Sequence, residues 1–276
     1  MVNILVPTDF SDLSRVAIQF AVKAANKLDG NVTLLHVLTM VQPTRASMRL
    51  RYEALEMDLI EFAEEDFKPI IEEAQKANKT KHPIKHAIEK GQSFNDAVRR
   101  FAKKKRTGLI IVGTKGASGL KKYVMGSNTA SLVEVSDVPV MVVPEKASFT
   151  GFKNVVYASN LDHLDRELKT ILPYLKVFDS QLHILHVLRP KEDLEEVKQK
   201  IAKAWQKINY RKVTVSIKAG EEIDKVIDQY VKQVKGDLVA MFTHRMSFYE
   251  KLFNRSITRK MTFQSVVPLL AFRMKD

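Results

Sequence analysis

The chain has 276 residues and no cysteine, which suits two domains that each bury a core and excludes disulfides and thiolate catalysis. No apolar run approaches the length of a membrane span, and no basic-then-apolar leader opens at Met1 to Pro7, so a cytoplasmic protein is expected. The formal net charge of +13 raises nucleic acid as a partner, because clustered cations bind phosphates by releasing counterions. Against this, the densest run, Arg99 to Arg106, falls at the end of a helical pattern, where cations suit the macrodipole and stay solvated. It has no interleaved aromatics and no nucleic-acid motif beside it, so no sequence-specific nucleic-acid binding is expected.

Asn3 to Val6 is the first expected strand and Pro7-Thr8-Asp9 its outgoing loop. Ser11 and Asp12 cap a helix that carries Val16, Phe20, Ala21, Ala24 and Leu28 on one face and ends at Asp29-Gly30. Val32 to Leu38 is a second, strongly apolar strand. His36 within it has no partner ligand at a usable spacing and reads as a packed histidine. A polar connection through Pro43, Arg45, Arg49 and Arg51 leads to a long amphipathic helix, Tyr52 to Ala77, with Leu55, Leu59, Phe62, Ile70 and Ala74 as its apolar stripe and a kink expected at Pro69. Ile84 to Glu89 alternates weakly and reads as a third strand. Gly91 turns the chain, and Ser93 caps a helix with Phe94, Ala97, Val98 and Phe101 inward.

Leu109 to Val143 follows and organises the rest. Leu109 to Val112 is short, apolar and β-branched, the pattern of a buried parallel strand. Gly113, Gly116 and Gly126 then precede Ser127, which opens a short helix ending before Ser136-Asp137, and Val138 to Val143 is a further apolar run. Glycines let a polyphosphate approach the backbone, and the open amides at a helix start favour negative charge. Taken singly, the glycines are read as a strand end and a helix cap; their joint spacing after a strand points to an anion-binding loop. Residues 3 to 143 thus alternate five strands with four helical patterns, a doubly wound α/β domain with a parallel sheet.

The pattern then repeats. Asn154 to Asn160 echoes Asn3 to Asp9, Leu182 to Leu188 echoes Val32 to Leu38 down to a histidine at 186, and Gly220 echoes Gly91. Leu238 to Thr243 echoes Leu109 to Thr114, and Val267-Pro268-Leu269 echoes Val138-Pro139-Val140. The second copy is shorter, mainly around its second helix, roughly Glu192 to Asn209. This is a tandem duplication, with domains expected at 1–146 and 152–276 and a linker, about Glu145 to Lys153, that holds little to pack. In the second copy Gly113 becomes Phe242, Gly116 becomes Arg245, Gly126 becomes Arg255 and Asp9 becomes Asn160, whereas Ser127 persists as Ser256. The phosphate cradle is lost there, since large side chains fill the space a nucleotide needs.

On these residues the chain resembles the universal stress protein family, and within it the nucleotide-binding branch. The family's spacing of glycine, two residues, glycine, nine residues, glycine and Ser or Thr is matched by Gly113, Gly116, Gly126 and Ser127. Ile4 to Ser11 (ILVPTDFS) matches its first strand and loop, and Leu34 to Val37 (LLHV) its second strand. The resemblance implies two tandem five-stranded sheets of the adenine nucleotide α-hydrolase-like fold and a stress-response role with one ATP in the first domain. It places the Val37 backbone at the adenine and Asp9 near the ribose, with Gly113, Gly116, Gly126, Ser127 and Asn128 around the phosphates. The loops carrying Pro7, Thr8, Asp9, Val112 and Thr114 complete the site. In single-domain relatives the last strands meet across a dimer axis, so an internal pseudo-dimer of Val138–Val143 and Val267–Phe272 is expected, with a homodimer of the tandem chain left open.

A hydrolase needs a positioned base and a metal-holding carboxylate at the γ-phosphate. The loop offers Thr114, Lys115 and Ser118, no acid, and no G-x4-G-K-[ST] motif. Asp9 is a candidate to hold Mg2+ or orient a water, which leaves room for slow hydrolysis, but no catalytic residue and no dedicated metal site are assigned. The favoured reading is a nucleotide-binding regulator or scaffold. The alternative is an ATP-using enzyme of the same fold, a slow ATPase or adenylyl-transfer type, with Asp9 and Lys115 or Lys121 serving chemistry.

Overall fold

The structure, a computed structural model of the chain, describes residues 2–40, 49–114, 126–189, 192–206, 209–243 and 267–273. It divides into two compact units, Met1–Glu145 and Lys146–Asp276.

In the first unit β1 (Asn3–Pro7), β2 (Asn31–Thr39), β3 (Lys85–Gly91), β4 (Leu109–Gly113) and β5 (Val140–Val143) alternate with α1 (Asp12–Leu28), α2 (Arg49–Ala77), α3 (Phe94–Lys104) and α4 (Ser127–Val135). The strands lie in the order β3-β2-β1-β4-β5, and every pair is parallel. β1 and β4 are the central strands. Ile4, Leu5, Val6, Ile110 and Ile111 are sealed from solvent, which explains why those runs are continuously apolar rather than alternating.

Two apolar faces differ from the sequence reading. In α1 the buried set includes Ala17, Ile18, Val22 and Ala25 beside Phe20, Ala21 and Ala24, while Val16 and Leu28 are half-buried. The buried arc of α1 is thus wider than a single stripe and shifted by one position at its ends, as for a helix lying against a sheet rather than against one neighbouring helix. In α2 the buried residues are Ala63, Phe67, Ile70 and Ala74, whereas Leu55 and Phe62 of the expected stripe are exposed. The Arg99–Arg106 run behaves as a helix end does: Ala97, Val98, Phe101 and Ala102 face inward and Lys103 and Lys104 close the last turn of α3.

The second unit repeats the plan with β6 (Asn154–Ala158), α5 (Leu164–Phe178), β7 (Gln181–Leu188), α6 (Leu194–Trp205), β8 (Val213–Ala219), α7 (Ile223–Gln233), β9 (Leu238–Thr243) and β10 (Leu269–Arg273). Its strands run parallel in the order β8-β7-β6-β9-β10. α6 is shorter than expected and starts behind Asp193, whose carboxylate accepts from the Glu195 and Glu196 amides. The stretch expected to be a slack linker does pack: Phe152 is buried, and Phe149, Phe152 and Phe178 stack edge to face.

Candidate functional site

β1 continues into β2 on one side, and the chain later returns through β3 to β4 on the other. The carboxyl ends of β1 and β4 therefore flank the switch point, where open α/β sheets bind ligands. Their parallel register, Ile4 with Leu109 and Leu5 with Ile110, brings Pro7–Asp9 and Val112–Thr114 out side by side.

The loop after β1 is built by its own polar groups. The Thr8 amide donates to Leu35 O at 2.9 Å, holding the loop to β2. The buried Thr8 hydroxyl pairs with Ser14 Oγ at 2.9 Å and accepts from the Phe10 amide at 3.0 Å, which fixes Phe10 in the left-handed region at φ 65. Asp9 Oδ1 accepts from the Ser11 amide at 3.2 Å and its hydroxyl at 2.6 Å, so the exposed carboxylate of Asp9 is aimed by the turn. Below it, His36 Nδ1 lies 2.9 Å from Thr8 O and the His36 ring stacks on Phe10 at 4.5 Å. His36 is thus a positioning residue. Val37 follows it, half-buried at the end of β2.

Across the switch point, Val112 and Gly113 are buried at the end of β4. Gly113 O accepts from the Thr129 hydroxyl at 3.0 Å, which ties the first turn of α4 to the strand end. The Gly126 amide donates to Thr114 O at 2.7 Å. That amide is therefore occupied, and donors for an anion start at Ser127 and Asn128, both exposed. Gly126 sits at the N-cap with φ −60 and ψ 145 and gives no side-chain cap. Any residue adopts that conformation, and Ser, Thr, Asp or Asn would cap better. Glycine there leaves the first amides of α4 without a side-chain cap. By contrast, Ser11 caps α1 and Ser93 caps α3 with their own hydroxyls. Lys115, Gly116, Ser118 and Lys121 lie outside the described residues.

The second unit keeps the loop and has a phenylalanine at the corresponding strand end. Ser159 Oγ accepts from the Leu161 amide at 3.0 Å, Leu161 has φ 66, and His186 Nδ1 lies 3.0 Å from Ser159 O. Asn160 Oδ1 accepts from the Asp162 amide at 3.2 Å, the turn of Asp9 without its charge. Opposite, Phe242 pairs with Phe272 in β9 and β10 as Gly113 pairs with Val143 in β4 and β5. The Phe242 ring is buried, stacks on Phe272 at 4.8 Å and meets Tyr157 edge-on at 5.8 Å. Buried Tyr157 in turn bonds Glu167, and burial first, then the neighbouring carboxylate, pushes its hydroxyl well above the ordinary value. Arg245, Arg255 and Ser256 lie outside the described residues.

The missed contributors are Ser14, Thr129 and the positioning role of His36. The recurrence of the histidine in both copies was the one available sign; hydroxyls in first helical turns carry none.

Both units are parallel α/β sheets, and the first has loops converging on a glycine-capped helix start. The family profile of the universal stress proteins matches residues 1–144, and the chain belongs to that family. Universal stress protein MJ0577 of Methanocaldococcus jannaschii is 30% identical over 159 residues, 53% of this chain and 96% of that protein. Universal stress protein YxiE of Bacillus subtilis is 29% identical over 144 residues, 51% of this chain and 97% of that protein. Among solved structures, a universal stress protein from Archaeoglobus fulgidus shares the fold at TM-score 0.73 and 18% identity, covering 98% of each chain.

Proposed function

We propose that the first unit binds one ATP and that the chain acts in stress response as a nucleotide-dependent regulator or scaffold. The observation that carries this is the glycine-capped start of α4 at the switch point, beside a strand end where the first unit has Gly113 and the second has Phe242. In this reading the Ser127 and Asn128 amides and the Ser127 hydroxyl receive phosphate oxygens, and Gly113 and Gly116 are the other glycines of the phosphate-binding spacing. Asp9 meets the ribose, and the end of β2 at Val37 meets the adenine. Pro7, Thr8, Val112 and Thr114 shape the floor. Asp9 is also the carboxylate available to Mg2+. The domain limits 1–146 and 152–276 belong to the same proposal.

Efficient hydrolysis is not part of it. Asp9 is the acid in the described loops at the switch point, and its Oδ1 is engaged by Ser11. Mass spectrometry of ligand retained by the purified full-length chain, followed by a turnover assay, tests the reading. Retained ATP with negligible turnover supports it. Rapid turnover transfers the argument to the enzyme alternative, and failure to retain or bind any adenine nucleotide removes the reading.

A further inference from the structure

α2 outruns the elements that cover it. Its flank toward α1 is marked by Glu73, which accepts from Gln19 at 2.6 Å and pairs with Arg15 at 3.7 Å. Asp66, Phe62, Leu59 and Leu55 precede Glu73 by 7, 11, 14 and 18 positions, near whole numbers of helical turns, so they share that flank. α1 begins at Asp12, one turn before Arg15, while α2 extends to Arg49, about 36 Å before Glu73 at the usual rise. The stripe is left bare: Phe62 is 62% and Leu55 51% exposed, with Leu59 half-buried.

The charges on the same helix are segregated. Arg49 and Arg51 open α2 with no acid in its first turn, the unfavourable sign for its own dipole. Glu53, Glu56, Asp58, Glu61, Glu64, Glu65 and Asp66 then follow before the next cation, Lys68. Arg51 and Asp66 are exposed, bracket the apolar stripe, and have no ion-pair partner among the described residues.

We propose that this flank docks a second copy of the chain through an antiparallel pair of α2 helices. The stripe is self-complementary. A two-fold axis beside Leu59 lays Leu55 of each copy on Phe62 of the other and, in the same register, Arg51 of each against Asp66 of the other; both pairs of residue numbers sum to 117. A single axis therefore satisfies both contacts, which is the requirement of an isologous interface. The pairing is independent of the nucleotide reading.

Sedimentation velocity of the full-length chain over a micromolar concentration series tests it. A reversible dimer is expected, with its dissociation constant raised about tenfold or more by Phe62→Glu, Arg51→Glu or Asp66→Arg, since each change acts twice across the axis. The double variant Arg51→Glu/Asp66→Arg, which restores the charge pairing in reverse, recovers affinity toward the wild type. These positions are exposed, and circular dichroism verifies that each variant stays folded. A monomer at all concentrations overturns the proposal. So does a dimer indifferent to these substitutions, or a double variant no better than the singles; either result places the contact elsewhere, on another face or another partner.

Discussion

Asp9 and Asn160 hold the same turn, each accepting from the amide two residues on, so the side-chain shape is structural and the charge is not. Asp9→Asn is therefore expected to leave the melting temperature unchanged while weakening ATP about tenfold, roughly 1.4 kcal/mol, through loss of a charge-assisted hydrogen bond. Paired melting and titration measurements check this, and unchanged ATP affinity removes Asp9 from the ribose. In the second unit, burial raises the Glu192 carboxyl, but the Arg189 amide and the adjacent His186 and Arg189 outweigh it and hold the group below the ordinary glutamate range. A depressed folded value means stability that is present above the unfolded pKa and lost as pH falls through the folded one. Glu192→Gln should thus cost on the order of 1 kcal/mol near neutrality, with the gap to wild type closing in acid. A gap independent of pH in urea melts would contradict it. At this scale the substitutions that separate the copies were legible because both copies stand in one sequence. The occupied Gly126 amide was not, because it depends on where the chain returns after residue 125.

Elements were legible where one face is simply apolar and obscure where packing geometry decides. β1, β2 and β4 announce themselves through runs buried on both sides. The α1 face differs because a helix lying on a sheet buries a wider arc than one stripe, and the α2 stripe because periodicity cannot show that a helix is longer than the layer beside it. Gly91 ends β3 and Gly220 follows β8, each on the way into a helix. A Cβ at Gly220 would lie 2.4 Å from Val226 Cγ2, whereas one at Gly91 would lie 3.1 Å from Ala97 Cβ and 3.2 Å from Ser93 O. The valine is stiff at χ1, so Gly220→Ala is expected to destabilise by about 1–3 kcal/mol, more than Gly91→Ala. Chemical denaturation of both variants measures the difference, and the reverse order would show that α7 yields more easily than its packing implies.

For the whole chain, the net charge of +13 predicts weak, sequence-blind attraction to nucleic acid that fades steeply with salt. Tight binding to one duplex that survives a few hundred millimolar salt would contradict that. The duplication carries the larger consequence: two units share strand order and the loop after the first strand, yet only the first leaves glycine at the end of its fourth strand. Titration calorimetry of the full-length chain with ATP tests this most directly. One nucleotide per chain is expected, with Gly126→Arg weakening it by about several kcal/mol, because the backbone at 126 tolerates any residue and the loss would come from a side chain standing where the proposed phosphates lie. A stoichiometry near two, or unchanged affinity in Gly126→Arg, would contradict the placement of the nucleotide in the first unit.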